Sequence, residues 1–229
     1  MYLSQDALDY VLSAKDELMD LERTLCAIPS PSHQEHRRAA FCKEWLEKAG
    51  AKGVYIDEVQ NVIFPINAEG SSRLTLFAAH MDTVFPDTEP MPMWEEDGIL
   101  YCPGAGDDTG SVALVLMISK YLISRNIQPE DGFLMVCNTC EEVDQSGITH
   151  VVDAYQGRLK EAYMMDGLYN QVVNWPVAYQ KYKVHIHAQG GHAYLNFGNP
   201  SAVVCAASMI NEIYALPLPE GCKSSYNVG

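Results

Sequence analysis

LTLFAAHMD, residues 74–82, decides the reading of this chain: an apolar run of strand length ends on a histidine and an aspartate. Two further stretches repeat the plan. VCNTCEE at 136–142 ends on Glu141 and Glu142, and YMMDG at 163–167 ends on Asp166 and a glycine. Short apolar runs closed by polar residues read as buried strands, so His80, Glu142 and Asp166 are expected just past strand ends. A fourth candidate, Asp107, opens a long apolar helical pattern in GAGDDTGSVALVLMISKYL, 104–122. Sites in open α/β sheets form outside the carboxyl ends of the strands. Four hard or borderline ligands arriving at one such edge point to a metal centre, and catalysis is the usual reason to build one.

Working outward, the leucines and valines at 8, 11, 12, 18, 21 and 25 predict a helix over 6–25. IPSPS at 28–32 interrupts it, because proline cannot continue a helix. A second helix over 33–49 should stop at Gly50, a natural C-terminal residue. GVYIDE, NVIFPIN, LTLFAAH, FLMVCNT and EAYMMD read as strands, with helices over 109–125 and 148–155 between the later ones. Such alternation predicts an α/β fold with a mostly parallel sheet flanked by helices. The proline-rich stretch 81–106 is expected to be an irregular loop, and long loops of this kind are often functional. From about residue 177 the texture changes: AYQKYKVHIHAQGG, 178–191, alternates as a half-exposed strand should, and SAVVCAASMINEIYAL, 201–216, is an amphipathic helix. These residues predict the start of a smaller α+β domain. One strand and one helix cannot complete an independent core.

Composition narrows the function classes. Of 229 residues, 48% are hydrophobic, enough for a full domain with a sizeable core. Thirty acidic residues against fifteen basic ones give a net charge of −15, which argues against nucleic acid and anionic membranes as partners. No apolar run approaches the ~20 residues of a membrane span, and the acidic N-terminus lacks the apolar segment of a signal peptide. The seven cysteines are scattered, with one isolated CxxC at Cys137 and Cys140. Reduced thiols in a cytoplasmic protein are expected.

The individual residues support the metal reading to different degrees. A metal-bound histidine usually gives its second ring N–H to a carboxylate, and Asp82 lies two residues beyond His80, on the same side of an extended chain. Asp107 and Asp108 could be helix caps, yet glycines at 104, 106 and 110 surround them, and a carboxylate with two free oxygens can bridge two cations. Glu141 and Glu142 stand at the end of an apolar strand, where paired charges are costly to bury. One could bind metal while the other handles a proton. Asp166 alone could close a turn. His185 and His187 share a face, for which a partly exposed strand is the simpler account. His192 follows two glycines where nothing structural calls for an imidazole.

Taken in order, the motifs IPSPSHQE, AAHMDTV, DGILYCPGAGDDTGSVA, TCEEVDQSG and GGHAYLNFGNPSAV resemble the dinuclear zinc exopeptidase and deacylase family, which includes peptidase T, glutamate carboxypeptidase, acetylornithine deacetylase and aminoacylase. The resemblance implies a zinc-peptidase-like fold, with residues 1–176 as an incomplete catalytic domain and 177–229 as part of a lid and dimerisation domain. It implies two zinc ions, with cobalt or manganese as alternatives. His80, Asp107 and Asp166 would bind one, and Asp107 and Glu142 the other, Asp107 bridging through a cis peptide to Asp108. Glu141 would be the general base, Asp82 would orient His80, and His192 would stabilise an oxyanion, across a homodimer where the lid is complete. Substrates would be peptides or N-acyl amino acids, Asp166 leaning toward the aminopeptidase branch. The alternatives are an N-acyl amino acid deacylase with the same metal chemistry, or a truncated, non-catalytic metal-binding relative. The family's late histidine ligand for the second zinc has no counterpart here, so the expectation is a C-terminally truncated chain with a weakened second site and little activity of its own.

Overall fold

The structure is a computed structural model and describes residues 3–167, 171–175, 178–221 and 223–229. It divides into two compact units, Met1–Val172 and Val173–Gly229. The expected domain boundary at 176–177 lies outside the described residues, as does Cys222.

The first unit contains α1 (Gln5–Ser13), α2 (Lys15–Cys26), α3 (His36–Lys48), β1 (Tyr55–Ile56), β2 (Val62–Ile66), β3 (Leu74–His80), β4 (Trp94–Glu96), β5 (Ile99–Tyr101), α4 (Gly110–Ser124), β6 (Gly132–Asn138), α5 (Ser146–Ala154) and β7 (Leu159–Met164). The main sheet has the order β1-β2-β6-β3-β7. β3 pairs in parallel with both β6 and β7, β2 runs antiparallel to β6, and β1 antiparallel to β2. β2 is therefore the one strand of the five that points the other way, and the sheet is mixed but mostly parallel.

Alternation along the strands sends successive side chains to opposite faces, and both faces are covered over β2, β6 and β3, while the edge strand β7 is largely exposed. Val62, Phe64, Met135, Cys137 and Ala79 pack with Leu25, Cys42, Leu46, Val112 and Leu116 from α2, α3 and α4. Ile63, Leu76, Ala78, Leu134 and Val136 pack with Val151 of α5 on the reverse face. Strands apolar at nearly every position, such as β3 and β6, are what a sheet buried on both sides requires. α3 stops as expected: Gly50 is left-handed at φ 98°, and the amides of Gly50 and Ala51 return to the carbonyls of Glu47 and Leu46.

Three expectations are corrected. The first helix is two, α1 and α2, meeting at Ala14. α1 buries no residue completely and is held from the side instead, by Tyr10 against the core and by Asp6 with Arg125 of the segment after α4, so it follows α4 rather than continuing α2. The stretch 81–106 is not wholly irregular, since β4 and β5 form an antiparallel hairpin with Trp94 opposite Tyr101. Its turn is Asp97-Gly98, both at positive φ (52° and 76°), the pairing that suits a two-residue hairpin. The prolines drew the reading away from this signal. In the second unit, residues 178–191 form no strand. Alternation becomes a strand only where a neighbour accepts its hydrogen bonds, and among the described residues none pairs with this segment.

The helix of the second unit is present as α6, Ala202–Tyr214, with the Ser201 hydroxyl accepting from the Val204 amide at 3.4 Å. It buries no residue.

Candidate metal centre

Strand register assembles the site. In the β3–β6 ladder His80 is level with Asn138, and in the β3–β7 ladder Ala78 is level with Met164. Two residues further on, Asp166 therefore arrives at the level of His80, and the Met165 amide donates to the Ala78 carbonyl at 2.7 Å. Asp107 comes from the wide turn Ala105–Thr109 ahead of α4. Asp107 and Asp108 leave helical geometry there (φ −139° and −126°), the N-cap position of α4 falls to Thr109 rather than to either aspartate, and the peptide between the two is cis as expected. Gly104 permits this approach: it is left-handed at φ 75°, and a Cβ on it would lie 2.6 Å from Thr83 Cγ2.

Among the described residues, His80, Asp107 and Asp166 each offer a ligand atom within 4.8 Å of the others. His80 is buried and the two aspartates are exposed. His80 Nε2 lies 3.0 Å from Asp107 Oδ1, while Nδ1 donates to the main-chain oxygen of Asp82 at 3.1 Å and lies 3.3 Å from its carboxylate. This leaves Nε2 as the nitrogen facing the two aspartates. One imidazole and two carboxylates form a donor set that suits zinc, so the residues fit a divalent cation.

Asp82 is fully buried and accepts from several directions. The Glu141 amide donates to Oδ1 at 3.0 Å, the Glu142 amide to Oδ2 at 3.2 Å, and the Ser32 hydroxyl to Oδ2 at 2.7 Å. One carboxylate thus holds both the histidine and the turn bearing the two glutamates. Burial raises the Asp82 pKa, but the hydrogen bonds from His80, Ser32 and the Glu141 amide outweigh it and leave the carboxyl below its ordinary range. For His80, burial works against the charged ring. The hydrogen bond to Asp82 and the charges of Asp108 and Asp82 win, lifting it to about 10. Asp108 accepts the His80 amide at 3.1 Å, and burial carries its carboxyl up to about 7.

Glu142 is not part of the three-residue cluster. It stands close enough that burial and the charge of Asp107 raise its carboxyl. Glu141 points its Oε1 at Gln145, whose Nε2 donates at 3.1 Å. His192 belongs to the second unit. There its Nδ1 faces the amides of Tyr194 and Leu195, each 3.3 Å away.

Three supporting residues escaped the sequence reading. Arg38 is buried, its guanidinium donating to the carbonyls of Leu25, Ile28 and Met81 and to the Thr109 hydroxyl. It ties the end of α2, the His80–Asp82 stretch and the start of α4 together. Asn61 donates to Asp57 and to the Gly147 carbonyl and accepts the Thr139 amide at 3.0 Å. Glu35 accepts the Cys140 amide at 3.0 Å. For Arg38 the signal available was a charged residue on the buried stripe of α3, which resembles an exposed one until the packing is known; Glu35 and Asn61 lie outside regular elements and gave none.

A sequence profile of peptidase family M20/M25/M40 matches residues 76–225. The chain belongs to this family. Among M20 relatives, a protein described as a LysW-lysine/LysW-ornithine hydrolase of Pyrobaculum aerophilum is 31% identical over 179 residues, covering 76% of this chain and 48% of the relative. Succinyl-diaminopimelate desuccinylase of Corynebacterium glutamicum is 29% identical over 137 residues, covering 59% of this chain and 37% of its own length. The chain thus spans about half or less of the relatives it matches. Human carnosine dipeptidase 1 superposes with a TM-score of 0.59 at 18% identity, over 72% of this chain and 41% of that one. A Staphylococcus aureus tripeptidase superposes with a TM-score of 0.54 at 21% identity, over 66% and 43%. These two likenesses concern the fold. The M20 profile covers His80, Asp107, Glu141, Glu142 and Asp166, and no helix among the described residues is long and apolar enough to cross a membrane.

Proposed function

We propose that this chain carries the metal-binding and proton-transfer residues of a zinc-dependent M20 hydrolase that cleaves an amide bond, with peptides as the first substrate class. The observation that carries this reading is the meeting of His80, Asp107 and Asp166, from three separate segments, over a buried Asp82 that also fixes Glu141 and Glu142. His80, Asp107 and Asp166 would hold one ion, and Asp107 with Glu142 a second. A divalent ion there supplies positive charge that polarises an amide carbonyl and acidifies water.

The chain's own residues do the rest. Asp82 keeps the His80 proton on Nδ1 and so presents Nε2 as a ligand. Glu141 takes a proton from the attacking water and passes it to the leaving amine; the Gln145 amide steadies its carboxylate. His192 is the proposed oxyanion donor. With Nδ1 accepting from two backbone amides, its ring proton resides on Nε2, the atom that would donate. In domain terms, residues 1–176 would be the catalytic part and 177–229 the beginning of a lid and dimerisation domain.

A second reading, deacylation of an N-acyl amino acid, is favoured by the sequence relatives, one of them named for removing a succinyl group. Both readings break the same bond type. Zinc titration of the purified chain tests their common basis. The chain should bind zinc, and His80→Ala should lower its affinity at least about ten-fold, since losing even a partner behind a ligand costs that much. Equal occupancy in both would refute the ligand assignment.

A further inference from the structure

The turn that presents Glu141 and Glu142 begins at Cys140, a non-glycine residue in the left-handed region at φ 55°. His33, in the segment between α2 and α3, is left-handed as well, at φ 68°. Residues with a Cβ adopt this conformation uncommonly, and such positions cluster where the surroundings hold them. One atom faces both. Glu35 Oε1 accepts the His33 amide at 3.1 Å and the Cys140 amide at 3.0 Å, and lies 3.4 Å from the Cys140 thiol. The thiol is also 3.2 Å from His33 Nδ1. Glu35 is only 2% exposed. A buried carboxylate is costly unless hydrogen-bonded, and this one spends its acceptor capacity on the backbone of a turn more than a hundred positions away in sequence rather than on a cation.

We propose that Glu35 is a positioning residue for Glu141 and Glu142, acting through Cys140. Its carboxylate fixes the start of the turn while Asp82 fixes the next two amides, so the two glutamates leave β6 in one defined direction. Neither anchor suffices alone. Asp82 takes the Glu141 and Glu142 amides only if Cys140 turns the chain toward it, and a left-handed Cys140 lacking its hydrogen bond would relax. The inference rests on the metal reading only for its consequence at Glu142; the control of the turn stands independently of it.

Two measurements on the whole chain separate these parts. The first is amide hydrogen exchange of Glu35→Ala and Glu35→Gln, read at single residues. Glu35→Ala should speed exchange of the Glu141 and Glu142 amides by about ten-fold or more, the loss expected for a hydrogen bond to a charged group, with Phe133–Val136 of β6 unchanged. Glu35→Gln keeps a carbonyl acceptor of weaker kind and should fall between Glu35→Ala and the parent. If Glu35→Ala opens the whole sheet, Glu35→Gln decides: faster exchange confined to 140–142 supports the proposal, and parental or uniformly faster exchange overturns it. The second is cobalt titration followed by absorption. The first equivalent should bind Glu35→Ala as it binds the parent, and the second should bind more weakly. Equal loss of both would overturn the specific link to Glu142. A parent chain that binds no cobalt would sink the metal reading while leaving the exchange result to judge Glu35.

Discussion

Gly147 is the second residue of α5, and helix propensity alone recommends replacing it with alanine, for a gain of up to about 1 kcal/mol. The packing predicts the opposite sign. A Cβ at this position would lie 2.3 Å from the Thr139 carbonyl oxygen, 2.6 Å from the Thr139 hydroxyl and 2.7 Å from Asn61 Oδ1. None of these is the free end of a flexible chain. Thr139 is held at the end of β6, and Asn61 is wholly buried with its amide committed in three directions. Relief needs a shift of roughly 1 Å, which opens the Asn61–Thr139 and Asn61–Gly147 hydrogen bonds. Two such bonds are worth about 1 kcal/mol each and overpacking adds about 1–3 kcal/mol. Against the propensity gain, the net loss is about 3 kcal/mol. For a chain of this size that is a fall in Tm of about 6–12 °C. Thermal unfolding of Gly147→Ala followed by circular dichroism measures it. A variant as stable as the parent, or more so, would refute the claim that close backbone packing beneath the Cys140–Glu142 turn dictates glycine here.

Other substitutions test separate parts of the account. Asp82→Asn leaves one of the Glu141 and Glu142 amides without its acceptor oxygen; it should cost about 2–5 kcal/mol in urea unfolding and weaken zinc binding about 10–100-fold in a competition titration. Leu25→Ala removes a fully buried side chain from the core between helices and sheet and should cost about 2–5 kcal/mol with zinc affinity unchanged. Tyr10→Phe deletes the hydroxyl that donates to the Met117 carbonyl at 2.9 Å and should cost about 1 kcal/mol in the same assay. Glu141→Gln should retain zinc by elemental analysis and lower turnover of a peptide or N-acyl amino acid by at least about 100-fold, the scale of general-base catalysis; parental turnover would remove Glu141 from its role.

Much of the fold was legible because each signal was local. β3 and β6 announce themselves as unbroken apolar runs, α4 as an apolar helix, and Gly50 as a helix stop. What failed was also local in origin. Prolines masked the Asp97-Gly98 hairpin, and the alternation of 178–191 suggested a strand that pairs with nothing described. The family was readable from motif order, and the profile match over 76–225 agrees with it.

Residue order alone placed His80, Asp107, Glu142 and Asp166 near the ends or starts of regular elements, since a run apolar enough to be buried on both sides stops where unpaired charge is costly to bury. Only the tertiary structure decided which of them meet. Ladder register brings Asp166 level with His80, and a helical departure at Asp107 turns its carboxylate to the histidine, whereas Glu142 stays outside that trio. Asp82 was readable as the partner of His80, but the buried polar framework of Glu35, Arg38 and Asn61 emerged only from packing. A charged side chain reads the same in sequence whether it faces water or the backbone of a distant turn, and the difference lies wholly in which partners the fold supplies.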